Sequence, residues 1–317
     1  MATRAHVISI LDELPGPVST TTAFGDRVSV RWHDGAVRVL DETLEEIDVR
    51  PLDDVGDDAR IRAAHGVDLV AISSSAGLTL IGGRRITRDR ITRDDLHVDA
   101  AVFLGEHLLA TVPSADGHRV LLIDPATGAT LTEQTVDADD ATAFLTRHPT
   151  EHLVLAEFAM GQDGTRLMRI DVDGQHMNAT EILTGQDPVF AGFSPRGDRI
   201  LIAAHPSDPE VMRVLTWPEL GEVGRLSASD LDAEYGLGLA ACWVDDERIA
   251  AYATQDSLLV TDASLTWVQR VELPVDFAEE GELETLTPLG SDRVAAGVWT
   301  AAGRLTLVIE IADERAS

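Results

Sequence analysis

The sequence contains no lysine, so all 25 of its basic residues are arginine. This absence excludes chemistry that depends on lysine, such as Schiff-base catalysis or a lysine-containing phosphate loop. Cysteine is almost absent as well: Cys242 is the only one, and it cannot form a disulfide within the chain. Such cysteine usage is typical of a reducing compartment. Because no local base accompanies Cys242 in its apolar run, we expect a buried structural thiol.

Aromatic residues and long apolar runs are also scarce. Aromatics make up only 4% of the chain, so the core has to be built from Val, Leu, Ile and Ala. No apolar run approaches the length of a membrane span. The short run Val7–Leu11 is followed by Asp12 and Glu13, which does not fit a signal peptide. We therefore expect a cytoplasmic protein with no membrane partner. The abundance of Ala, Asp, Gly and Val indicates GC-rich coding and a bacterial source.

The charge balance is strongly acidic. The chain has 25 basic and 55 acidic residues, which gives a formal net charge of −30. A surface of this charge repels nucleic acid and anionic lipid, and it favours cationic partners. The sequence therefore predicts no nucleic-acid partner.

One stretch, Val189–Leu226, shows how the chain is organised. It has four short apolar segments separated by turn-forming residues, of which Ser194–Asp198 and Trp217–Gly221 are the clearest. The apolar character falls from the first segment to the fourth. Four strands with decreasing burial are typical of one blade of a β-propeller, whose outer strand meets water.

Looser copies of this stretch fill the rest of the sequence. The first apolar residue after the first turn of each copy is Val28, Leu69, Leu108, Leu153, Ile200, Ile249 and Val294. These positions are separated by 41, 39, 45, 47, 49 and 45 residues, a period that indicates propeller blades. We predict one all-β domain over residues 1–317, a seven-bladed β-propeller with four-stranded antiparallel blades. The predicted blades span residues 18–50, 58–92, 97–136, 141–183, 187–226, 236–273 and 281–312.

Two segments carry a resemblance to a known superfamily. The segments IDPATGATLTEQTV (Ile123–Val136) and FSPRGDRILIA (Phe193–Ala203) resemble repeats of the WD40/YVTN-like propellers. The resemblance extends over essentially the whole chain as a repeat pattern, but the Trp-Asp dipeptide is absent. It implies the fold and no particular activity.

The last repeat predicts how the propeller closes. Three strands are predicted after residue 281, over Leu283–Leu289, Arg293–Trp299 and Arg304–Ile311, and then the sequence ends. The segment Ala5–Leu11, within residues 1–12, is the predicted fourth strand. Such a closing strand removes the open sheet edges that invite aggregation.

The loops from each outer strand to the next inner strand are rich in carboxylates, and in a propeller they lie on one face. We predict that this acidic face binds a cationic segment of a protein partner. The alternative is a set of solvated loops without a function. The predicted binding residues are Asp137, Asp139, Asp140, Asp187, Asp232, Glu234, Glu280 and Glu282. A scaffold should expose aromatic residues within this charged rim, and Trp32, Tyr235 and Phe277 are the candidates.

One basic cluster stands out. It includes Arg84, Arg85 and Arg88 on the predicted outer strand of the second repeat. Charges on an outer strand discourage edge-to-edge pairing. The alternative is self-association, in which these arginines meet the acidic face of a neighbouring copy.

An enzymatic function is the alternative to a scaffold. His33, His118 and His205 lie on predicted loops near carboxylates, as an acid–base set requires. A hydrolase or lyase site would then lie in the axial funnel. The sequence does not exclude a divalent cation in that funnel, and it predicts no other cofactor.

Two metal-like motifs are better explained as turns. His148–His152 matches H-x-x-E-H, but Pro149 disfavours the helix which that motif needs. Asp171–Gly174 lacks the later glutamate of a calcium loop. We therefore predict no metal ligands, and a non-enzymatic scaffold is the first of the two functions.

Overall fold

The computed structural model describes most of the chain. The described residues are 3–12, 19–23, 26–52, 55, 58–66, 69–82, 91–184, 186–205, 211–231, 236–253, 257–273, 283–290, 292–300 and 303–313. The chain divides into two compact units. We call residues 16–187 the central unit, and residues 1–15 with 188–317 the terminal unit.

The central unit contains four antiparallel sheets, each formed by four strands that are consecutive in the sequence. Blade 1 consists of β2 (Ser19–Ala23), β3 (Asp26–His33), β4 (Ala36–Leu40) and β5 (Glu46–Pro51). Blade 2 consists of β6 (Arg60–His65), β7 (Leu69–Ser74), β8 (Gly77–Gly82) and β9 (Ile91–Arg93). Blade 3 consists of β10 (Ala100–Leu104), β11 (His107–Ser114), β12 (Gly117–Ile123) and β13 (Thr130–Val136). Blade 4 consists of β14 (Thr142–Arg147), β15 (Leu153–Ala159), β16 (Thr165–Asp173) and β17 (His176–Ile182).

The terminal unit contains three such sheets. Blade 5 consists of β18 (Val189–Phe193), β19 (Arg199–Ala203), β20 (Val211–Thr216) and β21 (Glu222–Ser227). Blade 6 consists of β22 (Leu237–Trp243), β23 (Arg248–Ala253), β24 (Ser257–Asp262) and β25 (Val268–Glu272). Blade 7 consists of β26 (Leu283–Gly290), β27 (Arg293–Thr300), β28 (Gly303–Asp313) and the N-terminal strand β1 (Thr3–Asp12). Two one-turn 3₁₀ helices, Gly161–Asp163 and Ala228–Leu231, are the helical elements of the described chain.

The fold is therefore the predicted seven-bladed β-propeller with four-stranded antiparallel blades. Closure by the N-terminal strand is confirmed, because β1 pairs with β28 along its whole length, from Thr3 opposite Asp313 to Asp12 opposite Leu305. Within the described residues, no helix is both long enough and apolar enough to cross a bilayer.

The core lies between neighbouring sheets and is aliphatic, as the scarcity of aromatics requires. Between blades 3 and 4, Leu109, Val120, Val154 and Phe158 are fully buried. In blade 3 the two middle strands β11 and β12 are almost wholly buried, whereas the outer strand β13 exposes Thr130, Glu133 and Thr135. Burial thus falls from the middle strands to the outer strand, as the repeat pattern predicts. The expectation that the first strand is the most buried is wrong, because four of the five residues of β18 are only partly buried.

The turns between third and fourth strands in blades 1 and 6 share one construction. In blade 1 the Asp41 carboxylate accepts hydrogen bonds from the Thr43 and Glu45 N–H groups. Leu44, in the same turn, has a positive φ of 63° and a buried side chain. Leu265 repeats this in blade 6 with φ of 58°, behind the Asp262 carboxylate. A left-handed leucine is strained, so burial of its side chain has to offset the backbone cost.

Candidate functional site

In the central unit, the turns between second and third strands lie against the connections that lead from one blade to the next. The Ser75 N–H donates to the Asp58 carboxylate at 2.6 Å, and the Thr165 N–H donates to the Asp187 carboxylate at 3.3 Å. Carboxylates of the connecting loops thus satisfy turn amides. We call this side of the central unit its loop side.

Glycines make this packing close. Gly117 has φ of 107°, and a Cβ on it would lie 2.3 Å from the Val136 carbonyl oxygen and 2.7 Å from the Ala138 nitrogen. Gly77 occupies the same place in blade 2, where a Cβ would lie 2.1 Å from the Arg93 carbonyl oxygen. Only glycine permits so close an approach at a positive φ. The connecting loops therefore lie directly on the turn backbone.

His118 holds the loop between β13 and β14 in place from the protein interior. Only 1% of this residue is exposed, and its Nδ1 lies 3.0 Å from the Ala138 carbonyl oxygen, to which it donates. Its Nε2 lies 3.7 Å from the Asp99 carboxylate, and the ring contacts the Phe158 ring at a centroid distance of 5.4 Å. So deeply buried a ring does not reach a substrate in solution. Its contacts are those of a structural support.

Asp99 completes this support. Its carboxylate accepts a hydrogen bond from the Ala143 N–H at 2.9 Å, which joins the connection before blade 3 to the first strand of blade 4. The Asp99 N–H donates to the Thr111 carbonyl oxygen at 2.9 Å. The loop over residues 137–141 is therefore held at one end by His118 and at the other by Asp99.

The carboxylates above this support are exposed. The Asp137 side chain is 84% exposed and lies 3.6 Å from Arg166, while Asp139 and Asp140 are exposed as well. Asp116, at the tip of the turn between β11 and β12, is also exposed. We call Asp116, Asp137, Asp139 and Asp140 the acidic loop surface. The structure thus places three of the predicted binding residues together and adds Asp116.

An exposed aromatic side chain follows this loop directly. Phe144 on β14 is 53% exposed, whereas its neighbour Ala143 is buried in the core between blades 3 and 4. Sequence reasoning missed Phe144. The available signal was a phenylalanine that alternates out of phase with the buried residue beside it, directly after an acidic loop.

The other predicted binding residues and aromatic candidates lie in different surroundings. Asp187 is exposed in the connection after blade 4, where its carboxylate accepts the Thr165 N–H. Trp32 is partly buried against the core between blades 1 and 2. The remaining predicted residues lie outside the described residues, namely Asp232, Glu234, Glu280, Glu282, Tyr235 and Phe277, together with the arginines Arg84, Arg85 and Arg88.

Among its described residues, the terminal unit exposes one aromatic side chain. Trp299 is 44% exposed, and the Arg304 guanidinium lies over its ring at 4.8 Å from the centroid. Glu284 accepts a hydrogen bond from Arg304 at 3.0 Å and so fixes the stack.

The histidines of the proposed acid–base set have different neighbours. His33 Nε2 lies 3.0 Å from the carboxylate of the adjacent Asp34, and His118 faces Asp99. His205, in the terminal unit, is partly buried. His148 and His152 are occupied by backbone groups: His148 Nδ1 accepts the Thr150 and Glu151 N–H groups, and His152 Nδ1 lies 3.0 Å from the Val172 carbonyl oxygen. The H-x-x-E-H segment forms the turn between β14 and β15.

Metal and thiol chemistry have little support in the described part of the chain. It contains no group of three or more His, Cys, Asp or Glu side chains that could hold a metal ion. Cys242 is buried in β22, and burial raises the pKa of its thiol to about 12. The thiol is thus neutral and inaccessible at ordinary pH.

A cleft lies among the turns on the opposite side of the central unit. It measures about 350 Å³ and includes Glu106, His107, Asp124 and Leu131 in its lining. Hydrogen bonds from the Thr127 hydroxyl and the Ala126 N–H lower the pKa of Asp124, so its carboxylate stays ionised and committed to its own turn.

Comparison with known proteins gives the fold and no family. No protein-family model matches the chain, and no curated protein resembles it in sequence. Among solved structures, BamB from Moraxella catarrhalis is 12% identical, with a TM-score of 0.52 over 97% of this chain and 100% of that chain. BBS1N, crystallised in complex with ARL6DN, is 14% identical, with a TM-score of 0.56 over 97% of this chain and 95% of that chain. Both are β-propellers. At these identities the likeness shows the fold alone.

Proposed function

We propose that this protein is a non-enzymatic interaction scaffold, and that the acidic loop surface of the central unit binds a cationic segment of a partner protein. The observation that carries the proposal is the placement of four exposed carboxylates on loops that are rigidly supported from below. Arg166 is the one guanidinium paired with this surface among the described residues. Excess negative charge here favours a lysine- or arginine-rich segment.

Phe144 supplies the apolar contact that such an interface needs. Charged rims set the association rate and the choice of partner, whereas most of the affinity comes from a few well-packed aromatic or arginine anchors. An exposed phenylalanine next to Asp137, Asp139 and Asp140 fits the role of such an anchor. The proposed partner segment therefore carries an aliphatic or aromatic residue between its basic ones.

The rigidity of the loop also supports binding. The loop is fixed by Asp99, by the buried His118 and by the backbone contact at Gly117. Because a preorganised loop loses little conformational entropy on binding, more of the contact energy contributes to affinity.

The enzymatic alternative has less support. His118, the candidate nearest these carboxylates, is buried and hydrogen-bonded to the backbone.

We further propose that the chain is a distant relative of the WD40/YVTN-like propellers and that it acts in the cytoplasm, as the sequence predicts.

The proposal is tested by quantitative affinity capture from a native extract, with an Asp137→Asn/Asp139→Asn/Asp140→Asn variant and a separate Phe144→Ala variant. We expect a protein with a basic segment to bind the wild type at physiological salt. Its retention should fall by about tenfold or more in each variant, since central interface residues contribute about 1–3 kcal/mol. Binding should also weaken at about 0.5 M salt because the attraction is screened.

The matched control is Glu106→Gln/Glu151→Gln/Asp173→Asn, which removes three exposed carboxylates from turns on the opposite side of the same unit. This variant changes the net charge by the same amount and should bind the partner as the wild type does. Equal loss in the control and the test variant would mean that only overall charge matters. Full retention by the test variant would refute the proposed surface.

A further inference from the structure

The first strand of blade 2 contains a β-bulge with an arginine at its extra position. Ile61 pairs with Ile72 and Ala63 pairs with Ala71, so Arg62 has no partner residue in the ladder. Ile61 and Ala63 are buried in the cores on either side of the blade. Bulges re-aim side chains and are frequent beside functional sites.

The Arg62 guanidinium lies in an unusual electrostatic environment. It is partly buried, and among the described residues it makes no hydrogen bond and no ion pair, while its Nε is fully shielded from solvent. Burial lowers the pKa of Arg62, the Asp99 carboxylate opposes this shift, and the charge of Arg60 lowers the pKa further. Arg60 is exposed and likewise has no acidic partner in the described chain.

Among the described residues, no hydrogen bond or ion pair joins Arg62 to Asp99, which acts on it only through its charge. The Asp99 Oδ2 accepts the Ala143 N–H at 2.9 Å and faces His118 at 3.7 Å. In the described chain, the charged Arg62 guanidinium thus lies near Arg60 with no anion hydrogen-bonded to it. This arrangement is unfavourable in the free protein.

Several other arginines of this acidic chain hold carboxylates. Arg38 bonds Glu46, Arg169 makes two hydrogen bonds to Asp171 through its Nε and a third through a terminal nitrogen, and Arg248 bonds Asp245 and Asp292. Arg31 also lacks a hydrogen-bonded carboxylate in the described chain, but its neighbour Arg38 holds Glu46, whereas neither Arg62 nor its neighbour Arg60 holds one. The bulge that places Arg62 beside Arg60 is explained if the pair is kept for an anion from outside the chain.

We propose that Arg60 and Arg62 form a binding site for a small carboxylate. The planar guanidinium forms two parallel hydrogen bonds to a carboxylate, and a second guanidinium completes the neutralisation. A phosphate would fit the same fork. A singly charged carboxylate is favoured, however, because the nearby Asp99 and the net charge of −30 penalise a doubly charged anion more strongly.

The site is tested by NMR titration of the full chain, with the arginine Nε–H signals observed at low ionic strength. Propionate is the probe, and propionamide is its neutral isostere. We expect the Arg62 Nε–H signal, assigned by its absence in Arg62→Gln, to shift saturably with an apparent Kd below about 10 mM. Propionamide should cause no shift, and inorganic phosphate should bind more weakly than propionate.

The variants separate this site from unspecific anion binding. Arg60→Gln should weaken propionate binding by about tenfold, because one charge-assisted contact is lost. Arg119→Gln is the matched control: Arg119 lies partly buried on β12 of the same unit, 3.5 Å from Glu133. It removes the same charge and should bind propionate as the wild type does.

Three results would overturn the proposal. The first is a wild-type Arg62 signal that does not respond to propionate. The second is equal weakening by Arg119→Gln, which indicates only a general charge effect. The third is binding of phosphate without binding of propionate, which contradicts the carboxylate class.

Discussion

Two seams, one in each unit, join neighbouring blades with different chemistry. In the central unit, the Asp99 carboxylate crosses from the connection before blade 3 to the Ala143 N–H of blade 4. In the terminal unit, Arg248 of blade 6 bonds the carboxylates of Asp245 and Asp292 and donates to the Ile311 carbonyl oxygen of blade 7 at 2.6 Å. One tie is a carboxylate on a neutral amide, and the other is a guanidinium between two carboxylates.

The two ties also differ in charge. Arg248 neutralises carboxylates in the terminal unit, and although burial lowers its pKa, the hydrogen bonds and charges of Asp245 and Asp292 outweigh burial and raise it. The Asp99 tie uses a carboxylate and no cation. Beside it, the acidic loop surface is exposed, and Arg166 is the one guanidinium paired with that surface in the described residues.

The largest expected effect is a loss of stability when the close packing on the loop side of the central unit is disturbed. Gly117→Ala places a Cβ against the backbone at Val136 and Ala138 in a left-handed conformation, and it should lower the free energy of unfolding by about 3 kcal/mol. Urea unfolding measures this loss. Gly35→Ala is the matched control because Gly35 also has a positive φ, of 69°, but has open space around it. Its expected cost is about 1 kcal/mol. Equal losses would mean that the close approach is unimportant.

The guanidinium tie should be the next most sensitive. Arg248 is 12% exposed, and Arg248→Met leaves two carboxylates and the Ile311 carbonyl without their donor. We expect a loss of about 2 kcal/mol, since the partners are partly solvated. Arg196→Met is the control: Arg196 pairs with Asp246 but is 76% exposed, so its loss should stay below about 1 kcal/mol. A smaller effect for Arg248 than for Arg196 would contradict the proposed role of the tie.

The carboxylate–amide tie should respond more locally. Asp99→Ala removes the acceptor of the Ala143 N–H, and we expect a loss of about 1 kcal/mol together with faster amide exchange at Ala143. Asp99→Asn keeps an oxygen acceptor and should restore most of the protection. If Asn fails to protect this amide, the charge of Asp99 is what matters and not its hydrogen bond.

The smallest effect concerns pH. Burial raises the pKa of Asp262, but hydrogen bonds from Ser264, Trp267 and Thr266 outweigh burial and lower it below the ordinary 3.8. The ionised form therefore stabilises the folded state. This contribution is fully present above pH 3.8 and is lost as the pH falls through the folded-state pKa.

Asp262→Asn removes that titration. Its free energy of unfolding, measured by urea titration at several pH values, should fall less steeply below about pH 4 than that of the wild type. Asp124→Asn makes the same comparison in the central unit, where the pKa is lowered in the same direction. An unchanged slope in both variants would exclude these turn carboxylates as contributors to acid unfolding.

The fold could be predicted because its information is local and repeated. The alternation of apolar segments and turn residues in Val189–Leu226 recurs through the chain, and the segment Ala5–Leu11 fits the vacant place in blade 7. The candidate site was predicted in part, since Asp137, Asp139 and Asp140 lie on one loop. The roles of His118 and Asp99 could not be read from the sequence, because they depend on contacts between segments that are about 20 and 44 residues apart.

The positive-φ leucines and the bulge at Arg62 were also beyond sequence reasoning. Leucine disfavours a left-handed conformation, so Leu44 and Leu265 reverse the local preference to bury their side chains. A bulge shifts the register by one residue, and the sequence RIRAAH alternates in the same way with or without it.

The single buried thiol has a practical consequence. Cys242 lies in the core between blades 6 and 7, and the chain has no other cysteine that could react with a thiol reagent. Labelling of the native protein therefore requires that these two blades separate, at least transiently. The rate at which Cys242 is labelled thus measures how often blades 6 and 7 separate, without any engineered probe. Because Arg248 joins the same two blades, the labelling rate also reports on the strength of its tie.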